Sequence, residues 1–540
     1  MISLRHAAFV LVLGLGLLAC GDGAPPDPAE KTQQLPALAV APTALTLTAG
    51  TAPVGLSAAL SGDGGPVAWS LVGPGELSAP SGTTVTYTPP AAAEARTPVT
   101  VTAEAAGLTA TVAITVDPLI TQWVVSHQDG SDDNPGTEAA PFLTLTHALS
   151  VASAGQRILL DDGVYDPTRG EVWPATVPAG VAIQAVHPGG AVLSGDASAQ
   201  GLLLEGSASL AGVSFEDFGW ALVSGDTGTV GLNRVSVDGG GLTFSGLVQA
   251  TLSELTLQNL PANTTGLSVR QSASVTVVGG SISGQGYVAD CDGAEGIYLS
   301  NAASASLTDV DITDLGGNAV TARGSSQVSI QGGLIRHTGQ SDCAGAQLMA
   351  DGSATLSLVD TTVEDGNEDG FLLYTSANSV KLTRVTVGAH PGTGMTLQDG
   401  RATIEDSQFL DSDLALVVGG GGWAAVSGTR FLGNTSGIEV GTQSRLELRD
   451  SQISGGTTAI RDDGFADLGD ASDPGGNTLE ATTRVLSIQG SAYDVSAVGN
   501  TWVPGEQGAD AQGHYSSPQT ITGAISGRNF ALTAGKSLSL

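Results

Sequence analysis

The chain has 540 residues, 76 of them Gly, with aromatic residues at 4% and charged residues at only 13%. So long a chain exceeds one ordinary core and leaves several domains or a repeat array, in a composition that suits turn-rich β structure. A formal charge of −34 argues against nucleic acid as a partner and repels an anionic polysaccharide unless a cation bridges it, while three Cys without a C-x-x-C pair exclude a disulfide scaffold and a zinc site of that kind.

Residues 1–20 carry Arg5 and His6, then an apolar run from Ala7 to Leu18, and end Leu17-Leu18-Ala19-Cys20. The run is too short for a spanning helix and reads as an export signal. Its last four residues resemble the bacterial lipoprotein cleavage site. That resemblance implies that Cys20 is the lipid-bearing first residue of the mature chain, placed in the bacterial cell envelope at the outer membrane or cell surface. Residues 21–36 are a polar, Pro-rich tether.

Residues 37–118 alternate short strands with turns, as in LTLTA, TVTYTPP and TATVAITV. The pattern predicts six or seven strands in a small β-sandwich with Trp69 in its core. The segment resembles bacterial immunoglobulin-like modules, without their occasional disulfide, and reads as a spacer or weak binding module.

Residues 120–190 open with the turn Gly130, Ser131, Asp132, Asn134, Pro135, Gly136, Thr137, then Pro141, Phe142 and Thr144. A solenoid needs a cap, because its first rung otherwise offers unpaired strand edges. Thr144 is placed to N-cap a short helix whose Leu145, Ala148, Leu149 and Ala152 face the first rung. The segment resembles the opening of a family of bacterial β-helix proteins known as a domain of unknown function. Asp129, Asp132 and Asp133 are candidate Ca²⁺ ligands. They lack the D-x-[DN]-x-[DN]-G order, and turn chemistry accounts for the loop equally well. No other cofactor is expected.

Residues 191–502 repeat. Aligned on the last apolar residue of each unit, the anchors are Phe215, Val237, Leu257, Ile282, Ile312, Ile335, Val363, Val387, Phe409, Phe431 and Ile453, about 24 residues apart. Leu479 and Trp502 continue the column. Five residues before each anchor stands a second apolar column, from Leu210 to Leu448. One unit cannot bury these side chains alone, whereas stacked copies enclose a dry interior. A leucine-rich repeat would need a regular Leu and Asn framework, and helical repeats would need a 3.6-residue apolar period; neither is present. The fold class is therefore all-β, a parallel β-helix of about 13 or more rungs after a small β-sandwich. The rungs resemble those of right-handed β-helices of the pectate-lyase type. Residues 503–540 close the far end.

The register turns sequence into neighbours. Two residues past the anchors, Asp314, His337 and Asp365 fall on consecutive rungs; one position earlier, Arg336 and Glu364 are adjacent. Glu368, Asp369 and His390 follow in the turns and are candidate glycan contacts. The family resemblance implies a saccharide site, with Asp314, His337, Asp365, Arg336 and Glu364 as catalytic candidates of a polysaccharide lyase or glycosidase. A turn column filled by Gly, Asn and Asp needs no chemistry at all, and His337 is the one polar residue that falls outside that preference. Two readings stand: a lipid-anchored, surface-displayed monomer that binds carbohydrate or serves as structure, and a pectate-lyase-like enzyme acting on an extracellular glycan. Finally, Cys291 and Cys343 lie in the two longest rungs, on one flank, in an oxidising compartment, which predicts a disulfide between them.

Overall fold

A computed structural model describes residues 37–61, 66–93, 96–286, 293–340, 345–488, 495–504, 530–532 and 538–539. Cys20, Cys291 and Cys343 lie outside the described residues. The chain divides after Leu119 into two compact units.

The first unit holds eight described strands in two four-stranded sheets. Strand Thr97–Ala105 shows why: Val99, Val101, Ala103 and Ala105 alternate with polar or charged residues and are buried. Trp69 joins them in the core at 5% exposure, and its indole N–H donates to the Gly82 carbonyl at 2.8 Å.

The second unit is a parallel β-helix. A rung such as Arg401–Glu405, Gln408–Leu410, Leu414–Val418 contributes one strand to each of three faces. Among the described residues the third face alone is a sheet of 15 strands, from Ala175–Val177 to Phe530–Leu532. The anchors pair rung to rung from Phe215 through Ile453, on the second face. The column runs on to Leu479 and Trp502 at one end, and back to Leu193 and Tyr165 at the other. The companion column from Leu210 to Leu448 pairs likewise on the first face. Between them these columns supply much of a single interior cluster, in which Phe409 stacks on Phe431 at 5.1 Å.

Two left-handed corners per rung give the helix its section. Ten of the eleven residues two past the anchors have positive φ, with Gly284 the exception. Three before the anchors, all eleven do, from Gly212 (70°) to Asp450 (49°). Gly, Asn and Asp recur there because they enter this region at least cost, and His, also enriched in it, explains His337 at φ 50°. Polar side chains satisfy the buried backbone inside the second corner. Ser407 Oγ accepts from Val385 N at 3.1 Å, Ser451 Oγ from Thr429 N at 3.1 Å, and Asn477 Oδ1 from Ser451 N at 2.9 Å.

The cap is built from the opening turn. Helix Leu145–Val151 buries Leu145, Ala148 and Leu149, and the Thr144 hydroxyl accepts from His147 N at 3.0 Å. The two glycines of the turn are sterically required. A Cβ on Gly130 would meet the Phe142 carbonyl oxygen at 2.1 Å, and one on Gly136, at φ 72°, would meet the Phe142 ring at 2.3 Å. Among the described residues, no helix is long and apolar enough to cross a membrane.

Candidate functional site

Three consecutive rungs bring Asp314, His337 and Asp365 into contact. His337 Nδ1 lies 3.3 Å from Asp314 Oδ1, and its Nε2 lies 3.6 Å from Asp365 Oδ2. Arg336 Nε reaches the same Asp365 oxygen at 2.9 Å and Glu364 Oε1 at 3.6 Å. All five residues therefore join one network across the left-handed corner. The corner points its side chains outward, so His337 is 49% and Asp314 55% exposed. An exposed, screened network of this kind carries little energy.

The three residues expected as glycan contacts separate. Glu368 is exposed. Asp369 is half-buried and ties rungs together, accepting from Thr393 N at 2.8 Å and from the Thr396 hydroxyl at 2.6 Å. His390 is 1% exposed and cannot meet a ligand on the flank. It follows Ala389, whose φ of 56° turns the chain so that the next side chain enters the interior. There Nε2 lies 2.7 Å from Gln347 Oε1, between Gly366 and Gly370, where any Cβ would crowd the ring. Gln347 donates from its amide to the Glu364 carbonyl, so its Oε1 accepts, and His390 carries its proton on Nε2. Nδ1 is buried without a partner. Burial lowers the imidazole pKa from 6.5 to about 4, and Asp365 offsets this only in part.

The proposed calcium ligands part in the same way. Asp132 faces the cap: Oδ1 accepts from Leu143 N and Thr144 N, and Oδ2 from the Thr144 hydroxyl at 2.8 Å. It therefore braces the helix start and is not presented with Asp129 and Asp133 to a cation. Glu171 completes that brace from beneath, 3% exposed, accepting from Leu145 N and Thr146 N. Among the described residues, no group of three or more His, Cys, Asp or Glu side chains is placed to hold a metal ion.

The sequence pattern gave no sign of the polar outer row on the third face. Glu295 Oε1 accepts from the Thr321 hydroxyl at 2.9 Å, and Asn318 Nδ2 donates to Thr321 Oγ1 at 3.1 Å. Desolvation raises the Glu295 pKa, against the Thr321 hydrogen bond and the Arg323 charge. On the previous rung, Arg270 lies 5.8 Å over the Tyr298 ring. Only strand pairing shows that Glu295 and Asn318 occupy equivalent positions on successive rungs, because the intervening turns differ in length.

Residues 128–342 match a family described as Protein of unknown function (DUF1565), which includes the opening turn. No curated protein matches the chain. Among solved structures, pectate lyase Pel9A is 14% identical with a TM-score of 0.38, over 54% of this chain and 76% of that one. The Vag8–C1 inhibitor complex is 13% identical with a TM-score of 0.41, over 66% and 92%. An alginate lyase from Paenibacillus sp. str. FPU-7 is 15% identical with a TM-score of 0.31, over 48% and 90%. These likenesses carry no chemistry to this chain; the parallel β-helix rests on its own strand pairing.

Proposed function

We propose that this protein is an exported, lipid-anchored β-helix that displays a carbohydrate-binding surface and does not cleave what it binds. The observation that carries the non-catalytic part is the His337 network. Its ionisable groups are paired with one another on an exposed flank, whereas acid–base catalysis needs a group poised against substrate and sheltered from water. The lyase or glycosidase reading draws its support from the convergence of Asp314, His337 and Asp365 within 3.3–3.6 Å. That convergence is equally what a left-handed corner stacked on itself produces. The anchor is proposed from Leu17-Leu18-Ala19-Cys20, the spacer from an immunoglobulin-like reading of the first unit, and a Cys291–Cys343 disulfide from the two long rungs.

Cys20→Ala is expected to move the protein from the membrane fraction to the soluble exported fraction, with its retention on immobilised polysaccharide unchanged. A variant that stays with membranes after a high-salt wash overturns the anchor. Failure of the soluble variant to be retained on any of a panel of plant and bacterial polysaccharides overturns the carbohydrate reading.

A further inference from the structure

We infer that the outer edge of the first face, at Arg401, Trp423 and Arg445, binds an acidic saccharide chain through its carboxylate or sulfate groups. This inference rests on the carbohydrate reading above and adds a place and a ligand class, at a distance in the sequence from the His337 network. Strand pairing puts Arg401 beside Trp423 and Trp423 beside Arg445 on three successive rungs. The Arg401 guanidinium lies 5.6 Å from the Trp423 ring centre, and Arg445 lies 5.4 Å from the ring of Phe465, one rung on. Both arginines are exposed and Trp423 is half-buried. Together with Ser376, Asp399, Gly400 and Gly421 they line one groove.

The charge pattern selects the ligand. The chain has 53 acidic and 19 basic residues, and Arg234, Arg336, Arg384, Arg449 and Arg461 are each held by a carboxylate. Among the described residues, neither Arg401 nor Arg445 has one within ion-pair distance. Asp399 is the groove's own acid, and it accepts from its neighbour Gly400 N at 2.9 Å. The Trp423 indole N–H is buried with no acceptor. The groove therefore holds donors in excess, with planar cations that match a carboxylate or sulfate in two-point contact. Arg401 and Arg445 stand two rungs apart, about 9.6 Å along the axis. That separation suits acidic groups on alternate sugars of an extended chain. The negative field of the remaining surface disfavours densely charged polyanions such as nucleic acid more than a sparsely charged chain.

The test uses the soluble Cys20→Ala chain, with a decamer of galacturonic acid and neutral maltodecaose as probes in calorimetric titration. Arg401→Gln with Arg445→Gln is expected to weaken decagalacturonate binding at least tenfold, and raising the salt should weaken wild-type binding as well. Trp423→Phe, which keeps an aromatic core, should weaken it less than the double variant. Equal affinity in wild type and the double variant overturns the inference and leaves the carbohydrate reading standing. Wild-type binding to maltodecaose alone overturns the inference too. If neither these probes nor the immobilised polysaccharide panel is bound, the carbohydrate reading falls and the inference falls with it.

Discussion

Phe431→Ala is expected to lower the stability of the β-helix by about 3–5 kcal/mol, the cost of emptying a fully buried aromatic site. Phe431 is 0% exposed, stacks on Phe409, and pairs in register with Phe409 and Ile453. Its rung cannot collapse into the gap, because both neighbouring rungs fix its backbone through parallel ladders. Phe431→Leu, which retains most of the volume, should cost under about 1.5 kcal/mol. Since each rung contacts only its neighbours, the loss should separate the far rungs from the near ones and broaden the urea transition. Trp423 sits on the same rung and reports it by fluorescence. An Ala variant that unfolds at the wild-type midpoint with an unchanged slope contradicts the assigned packing.

The second large effect is acid instability at His390. Its folded pKa is about 4 against 6.5 when unfolded, so between those values the unfolded chain takes up a proton that the folded chain refuses. The stabilisation is complete above pH 6.5 and is lost as pH falls through about 4, by about 3 kcal/mol for this one buried side chain. Asp462 runs the other way. It is 0% exposed, desolvation raises its pKa to about 6, and its contribution is present below pH 3.8 and lost as pH rises through 6. Glu171 and Glu295 shift in the same direction as Asp462. A wild-type pH profile therefore mixes opposing slopes, and the difference between wild type and His390→Gln isolates the histidine. Gln can still donate to Gln347 Oε1, so the variant should match wild type near pH 7.5 and exceed it by a margin that grows from pH 6.5 to 4. Urea midpoints that run parallel across that range would show the imidazole exposed.

The columns legible in the sequence were those with one residue type and one environment. The anchors from Phe215 to Leu479 and the companions from Leu210 to Leu448 alternate with polar neighbours because every rung repeats the same burial. Corner geometry was legible only in part. Asp, Asn and Gly two past the anchors announced a turn, but the same residues do not reveal that φ becomes positive there. That reversal carries His390 inward and leaves His337 outside, one position apart in the register. The corner three before the anchors was less uniform, since Arg234, Glu254 and Arg384 share it with Gly and Asp. Arg401, Trp423 and Arg445 stand eight residues before their anchors. Their common edge emerges only when strands are paired, because chemistry that differs from rung to rung has no period to detect. Asp132 stayed open between two readings in the sequence, because a carboxylate that caps a helix start and one that binds a cation look alike in a short acidic turn.

If the proposed function holds, this β-helix retains carbohydrate without cleaving it. The direct measurement is product release: the soluble Cys20→Ala chain incubated with the polysaccharides that retain it, with and without chelator, while new reducing ends and ultraviolet-absorbing unsaturated ends are followed. Retention is expected with neither kind of end above the no-protein control. Ends that accumulate in proportion to protein and vanish in the combined His337→Ala, Asp365→Ala variant would contradict it and make the flank network a catalytic site.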